Sequence, residues 1–123
     1  MLVGLLMFVA ATAPSSDNAQ LQQAMTTYFR CMDNAGAALE PSGEPAELVG
    51  KSAKFQCIRE LHEVVEISKA DFISDSPTRE LIEKHGDAAI APWIKTITTK
   101  IENWGVERAV ASVIETRAKR LRR

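Results

Sequence analysis

The chain has 123 residues, about the size of one domain, with 46% apolar, 25% charged and 6% aromatic residues. That composition excludes a disordered or fibrous chain, and a net charge of −1 gives no general attraction to nucleic acid or membrane. The charge is unevenly spread: the last seven residues, RAKRLRR, carry +5, which leaves −6 on everything before them.

The chain starts with MLVGLLMFVAATAPSS, an apolar run that turns small and then polar, with no charge before Asp17. It is too short to span a bilayer, which needs ~20 apolar residues. It reads as a signal peptide over residues 1–11, with Val9 and Ala11 as the small residues at the cleavage site. Cutting after Ala13 is the alternative, although it would leave Pro14 first in the mature chain. The usual basic start is missing, since the first basic residue is Arg30. With no cysteine near the cleavage region, a lipoprotein is not indicated. The mature protein is then one helical domain over 12–123, ending in a basic tail over 117–123.

Ser15 or Ser16 can cap the first helix, whose early acid Asp17 suits the positive end of the helix dipole. Apolar residues recur at helical spacing through Leu21, Ala24, Tyr28, Cys31 or Met32, Ala35 and Leu39. EPSGEP, Glu40 to Pro45, interrupts the pattern with two prolines and a glycine. A second helix opens at Pro45 and runs to about Phe72, with Leu48, Phe55, Ile58, Leu61 or His62, and Val65 as its apolar stripe.

Two helices joined by so short a break lie antiparallel. Residues at one height on such a hairpin have numbers that sum to a constant, and Cys31 and Cys57 centre on Glu44, inside the break. The two cysteines therefore face each other, and a disulfide between them fits an exported protein. By the chain-entropy model it contributes about 3–4 kcal/mol.

SDSPTRELIEKHG reads as a short helix with Ser76 as cap, Pro77 in the first turn, and Gly86 as the stop. A corner follows over Asp87 to Ala91. From Pro92, Trp93, Ile94, Ile97, Ile101 and Trp104 cover one wide helical face, and Gly105 is expected to end or kink this helix. A last helix carries Val106, Val110, Val113 or Ile114, and Leu121. The fold is thus expected to be all-α, a small bundle of four to five helices whose N-terminal antiparallel hairpin is stapled by a disulfide.

Catalytic chemistry is hard to find. The two histidines are His62 and His85, and HEVVE puts Glu66 where a helical zinc motif needs its second imidazole. His62 and Glu66 are weak metal candidates, and a solvated charged face explains them. Glycines are scattered, serines fall at helix starts where capping accounts for them, and no catalytic residue or cofactor is assigned. Trp93 and Trp104 are eleven residues apart, close to three turns, and form either core or a platform for a partner or apolar ligand. Arg117, Lys119, Arg120, Arg122 and Arg123 suit a helix C-terminus, or attraction to anionic lipid, an acidic partner or a second copy.

The stretch YFRCMDNAGAALEPSGEPAELVGKSAKFQC, Tyr28 to Cys57, resembles small exported two-cysteine helical proteins of alphaproteobacteria. Their pattern is Tyr-x-x-Cys, a small-residue helix, a Ser/Glu-rich break, and an alanine-rich helix with the second cysteine. Lys51, Lys54 and Phe55 depart from the alanine-rich part. The resemblance covers about a quarter of the chain and implies export and the bridge, with no activity attached.

The expected function is that of a periplasmic or secreted helical protein that binds a protein partner in the cell envelope, for example as an inhibitor or immunity protein. The alternative is a small-molecule or metal-binding carrier, and after it a hydrolase of unrecognised type. Nucleic acid is not an expected partner. Membrane contact would run through the basic tail, and the sequence leaves homo-oligomerisation open.

Overall fold

The computed structural model describes residues 16–74 and 76–122. The signal peptide over 1–11, both cleavage positions, the capping Ser15 and the tail residue Arg123 lie outside the described residues. Five α-helices are present among them: α1 (Ser16–Leu39), α2 (Ala46–Gln56), α3 (Ile58–Ile73), α4 (Ser76–His85) and α5 (Ala91–Leu121). Single 3-10 turns, Glu40–Ser42 and Asp87–Ile90, sit at the two proline-marked corners. The all-α bundle is as expected, and no described helix is long and apolar enough to cross a membrane.

The stripe on α1 forms as its spacing predicts. Ala24, Tyr28, Met32 and Ala35 are buried at successive turns, with Leu21 and Leu39 packed against the cluster. The chain leaves α1 through the Glu40–Ser42 turn and reverses at Gly43, whose φ of 76° is open to glycine at little cost. Cys31 and Cys57 then meet across the hairpin in a disulfide, with their Cα atoms 6.0 Å apart. The height-matching argument held because the break is short and both arms are regular. Disulfides persist in oxidising compartments outside the cytoplasm, and the bridge indicates such a location for this chain.

Two expectations about the helices need correction. The stretch from Pro45 to Phe72 is two helices, not one. The backbone leaves helical geometry at Cys57 (φ −113°, ψ 20°), and its N–H bonds three residues back to Lys54 O. No proline or glycine marks this point. It is where the chain changes partner: α2 lies mainly on α5, and α3 mainly on α1.

Gly105 neither ends nor kinks a helix, because α5 runs unbroken for 31 residues. Its role is steric. A Cβ at 105 would lie 2.5 Å from Cζ and 2.7 Å from Cε2 of the buried Tyr28 ring. The glycine makes the slot that the tyrosine fills.

The apolar stripe expected over this stretch is out of phase at Leu48, Phe55 and Ile58, whereas its Leu61 and Val65 are buried as expected. Val49, Gly50 and Ala53 face the core, while Phe55 is 68% and Ile58 54% exposed, and Leu48 is exposed too. The buried side chains are the small ones because the helix backbones come close together. A Cβ on Gly50 would lie 3.1 Å from Val106 O, and one on Gly36 would lie 2.8 Å from Ala109 O. On α5 the buried line is Ile101, Gly105, Ala109 and Val113, one residue per turn.

Candidate binding groove

The two tryptophans mark a cleft where α1, α3 and α5 meet. α5 begins just after Ile90, with Pro92 in its first turn, and its missing N–H is free of cost there. This start sets Trp93 against the end of α3, where its ring stacks on Phe72 with centroids 3.9 Å apart and planes 9° from parallel. Trp104, three turns along α5, is 42% exposed. Leu21 and Met25 of α1, with Ile97 and Ile101 of α5, complete the apolar wall of a cleft of ≈ 400 Å³. That volume lies in the range of small-ligand sites.

Three polar residues interrupt this wall: Ser68, Thr96 and Lys100. The Thr96 hydroxyl donates to Pro92 O on its own helix, at 3.0 Å. Ser68 is only 7% exposed, yet no hydrogen bond reaches its side chain among the described residues. The Lys100 ammonium lies 5.6 Å from the Trp104 ring centroid, a cation–π distance, and has no carboxylate partner among the described residues. Among the described residues, no acid lines the cleft. Among these residues it is therefore an apolar trough with one exposed cation and one serine hydroxyl that makes no hydrogen bond.

The basic tail sits elsewhere, against the α1–α2 connection. Glu40, whose side chain is fully buried, takes Arg120 Nη2 at 2.6 Å on Oε2 and Arg117 Nε at 3.7 Å opposite Oε1. Arg117 also donates to the carbonyls of Glu40 (3.3 Å) and Glu44 (2.5 Å). Lys119 pairs with Glu115 one turn back at 3.1 Å, and Arg122 Nε reaches Ala118 O at 3.5 Å. Two of the tail cations therefore close the bundle, holding the end of α5 on the hairpin turn. Sequence reasoning read EPSGEP only as a break and missed Glu40 as the acid beneath the tail. An acid followed by proline at a helix end, in a chain with a basic C-terminus, was the available signal.

His62 and Glu66 are one turn apart on the exposed side of α3, with Nε2 and Oε1 3.9 Å apart and, among the described residues, no third His, Cys, Asp or Glu close enough to share an ion with them. Among the described residues, the His, Cys, Asp and Glu side chains close enough to share an ion are Cys31, Cys57 and Glu60. Both sulfurs of that set are already bonded to each other.

Tyr28 is the most perturbed group. Burial, and secondarily the Glu102 carboxylate, push its phenol up to about 12. Its hydroxyl is buried without a hydrogen-bond partner. It lies inside the bundle against Gly105, where it fills space and faces no cleft.

Sequence reasoning found the two tryptophans but not their setting. Phe72, Ser68, Leu21 and Met25 come from two other helices, and no spacing within α5 points to them. No protein-family model, no curated protein and no solved structure matches the chain.

Proposed function

We propose that this protein is exported to the periplasm after removal of residues 1–11, and acts there by binding a protein of the cell envelope rather than by catalysis. The observation that carries the reading is the Trp93–Trp104 cleft: a large, partly exposed apolar site with aromatic walls on a bundle closed by a disulfide. Tryptophans at the centre of an apolar pocket are the residue type that anchors interfaces. A rigid scaffold loses little ordering entropy on association. The charge asymmetry belongs to the scaffold in this reading, since Arg117 and Arg120 are occupied by Glu40.

A second reading, a carrier of small apolar molecules, is favoured by the size and lining of the same cleft. Both place the binding surface at Trp104. The test is a photo-crosslinking residue at position 104 in cells, with the same residue at Arg59, whose side chain is 93% exposed, as control. A defined protein adduct from 104, absent from 59 and lost with Trp93→Ala, supports the partner reading. Equal labelling from both positions refutes it. A mass spectrum of the periplasmic form tests export, with a chain beginning at Thr12 or Pro14 as the expected result.

A further inference from the structure

We infer that the Trp93–Trp104 cleft is a site for a single-chain amphiphile with a carboxylate head, of the fatty-acid type. This deepens the carrier reading of the cleft and rests on that cleft being a binding surface. The apolar part follows from the walls: Leu21, Met25, Ile97 and the two indoles give a trough with no acid in it among the described residues. Trp93 and Trp104 are separated by eleven residues of helix, so the trough runs ~16 Å along α5. Such a shape takes a narrow apolar chain lying along the helix.

The head follows from the two polar groups that the fold leaves unused. Lys100, exposed at the Trp104 end, is a cation with no carboxylate partner among the described residues. Ser68 is more than nine-tenths buried and has an unused hydroxyl. The Ser68 hydroxyl lines the cleft and is not one of the fully buried unpaired atoms, so a molecule in the cleft can reach it and accept its proton. A carboxylate suits either group, since it accepts an ionic hydrogen bond from the ammonium or a hydrogen bond donated by the hydroxyl. A neutral or cationic head would leave Lys100 unmatched or repelled.

The experiment uses the full mature, oxidised protein after delipidation, and reads the fluorescence of its two tryptophans. The probes are dodecanoate, dodecanol and dodecyltrimethylammonium, each below its micellar concentration. Saturable binding of dodecanoate, roughly tenfold tighter than dodecanol, is expected from one ionic hydrogen bond in a half-open site, with the cationic probe weaker still. Lys100→Gln, a surface change that leaves the melting temperature in place, should erase the preference for dodecanoate. Ser68→Ala should weaken dodecanoate several-fold and dodecanol less. Equal affinity for the acid and the alcohol, or a preference unmoved by Lys100→Gln, overturns the assignment of the head while the cleft stands as a binding surface. No saturable binding of any probe overturns the amphiphile altogether. A protein adduct from position 104 in that case still upholds the partner reading.

Discussion

Replacing Gly105 with alanine tests the main packing feature of the bundle, because two effects of known size oppose each other there. Gly105 is mid-helix, where alanine is better by about 1 kcal/mol. In open space the substitution would stabilise the protein. The added methyl would instead sit 2.5 Å from Cζ and 2.7 Å from Cε2 of Tyr28. Carbon contacts settle at about 3.5–4.0 Å, so the ring has to retreat by about 1 Å. Tyr28 is completely buried among Ala24, Met32 and their neighbours and has no free space to enter. Overpacking of this kind costs typically 1–3 kcal/mol, and a blocked ring belongs near the top of that range. The expected net loss is about 2 kcal/mol, which lowers the melting temperature by roughly 10 °C. Urea unfolding should show a lower midpoint with an unchanged slope. Tyr28→Leu in the same background isolates the contact: its own void and the new methyl compensate, giving a coupling energy of about 1 kcal/mol or more. Gly105→Ala proteins as stable as the parent, or more stable, would refute the claim that the tyrosine slot fixes this glycine.

Three further outcomes follow from the structure. Removing the bridge with Cys31→Ala and Cys57→Ala should cost about 3.5 kcal/mol for a separation of 26 residues, and a loss under about 1 kcal/mol in denaturant unfolding would show the hairpin pre-formed without it. Glu40→Ala leaves two guanidinium groups facing a buried void. Because Arg117 and Arg120 keep 30% and 62% of their side-chain exposure and can rehydrate, the loss should fall near 2 kcal/mol, below the usual cost of breaking a buried pair. Hydrogen exchange should quicken over residues 117–121, and unchanged protection there would contradict the closing role of Glu40. Tyr28 is the sole tyrosine, so phenolate absorbance reads it directly. Its pKa is raised from the ordinary 10 to about 12. The unfolded state therefore loses this proton first, and the stabilisation is intact below pH 10 and disappears as pH rises towards 12. A phenolate midpoint at pH 10 in folded protein would contradict the burial of this ring.

How far the sequence could be read depended on whether side-chain size or backbone approach set the packing. On α1 the buried residues are the apolar ones at helical spacing, and Ala24, Tyr28, Met32 and Ala35 were legible as a stripe. The disulfide was legible because a short proline-bounded break fixes the register of both arms. On α2 the rule failed: bulk pointed to Leu48 and Phe55, whereas the contact needed Gly50 and Ala53. The break at Cys57 has no local signal, because it reflects a change from one neighbouring helix to another. Gly105 gave a misleading signal, since a glycine flanked by polar and apolar residues looks like a stop until the ring that fills it is known. Of the groove, the α5 face with Trp93, Ile97, Ile101 and Trp104 was visible. Leu21 and Met25 on its remaining walls lie 68 to 83 positions from the two tryptophans in sequence, and only the fold brings them together.

The same close packing explains why large apolar groups remain on the surface. Where Gly36, Gly50 and Ala109 let three helix backbones approach, no room is left between them for bulky side chains. On α5, a helical step of 100° separates Gly105 on the core line from Trp104 beside it. The glycine faces Tyr28, so the tryptophan is turned out to the mouth of the cleft. Trp93, three turns earlier, is held on the other side by Phe72. The positions of both indoles are thus set by contacts inside the bundle rather than by each other, and the trough between them is present before anything enters it. A site of this kind spends little of its binding free energy on ordering itself. The residues that decide what it accepts are then its two polar groups without a hydrogen-bond or ion-pair partner among the described residues, Ser68 and Lys100.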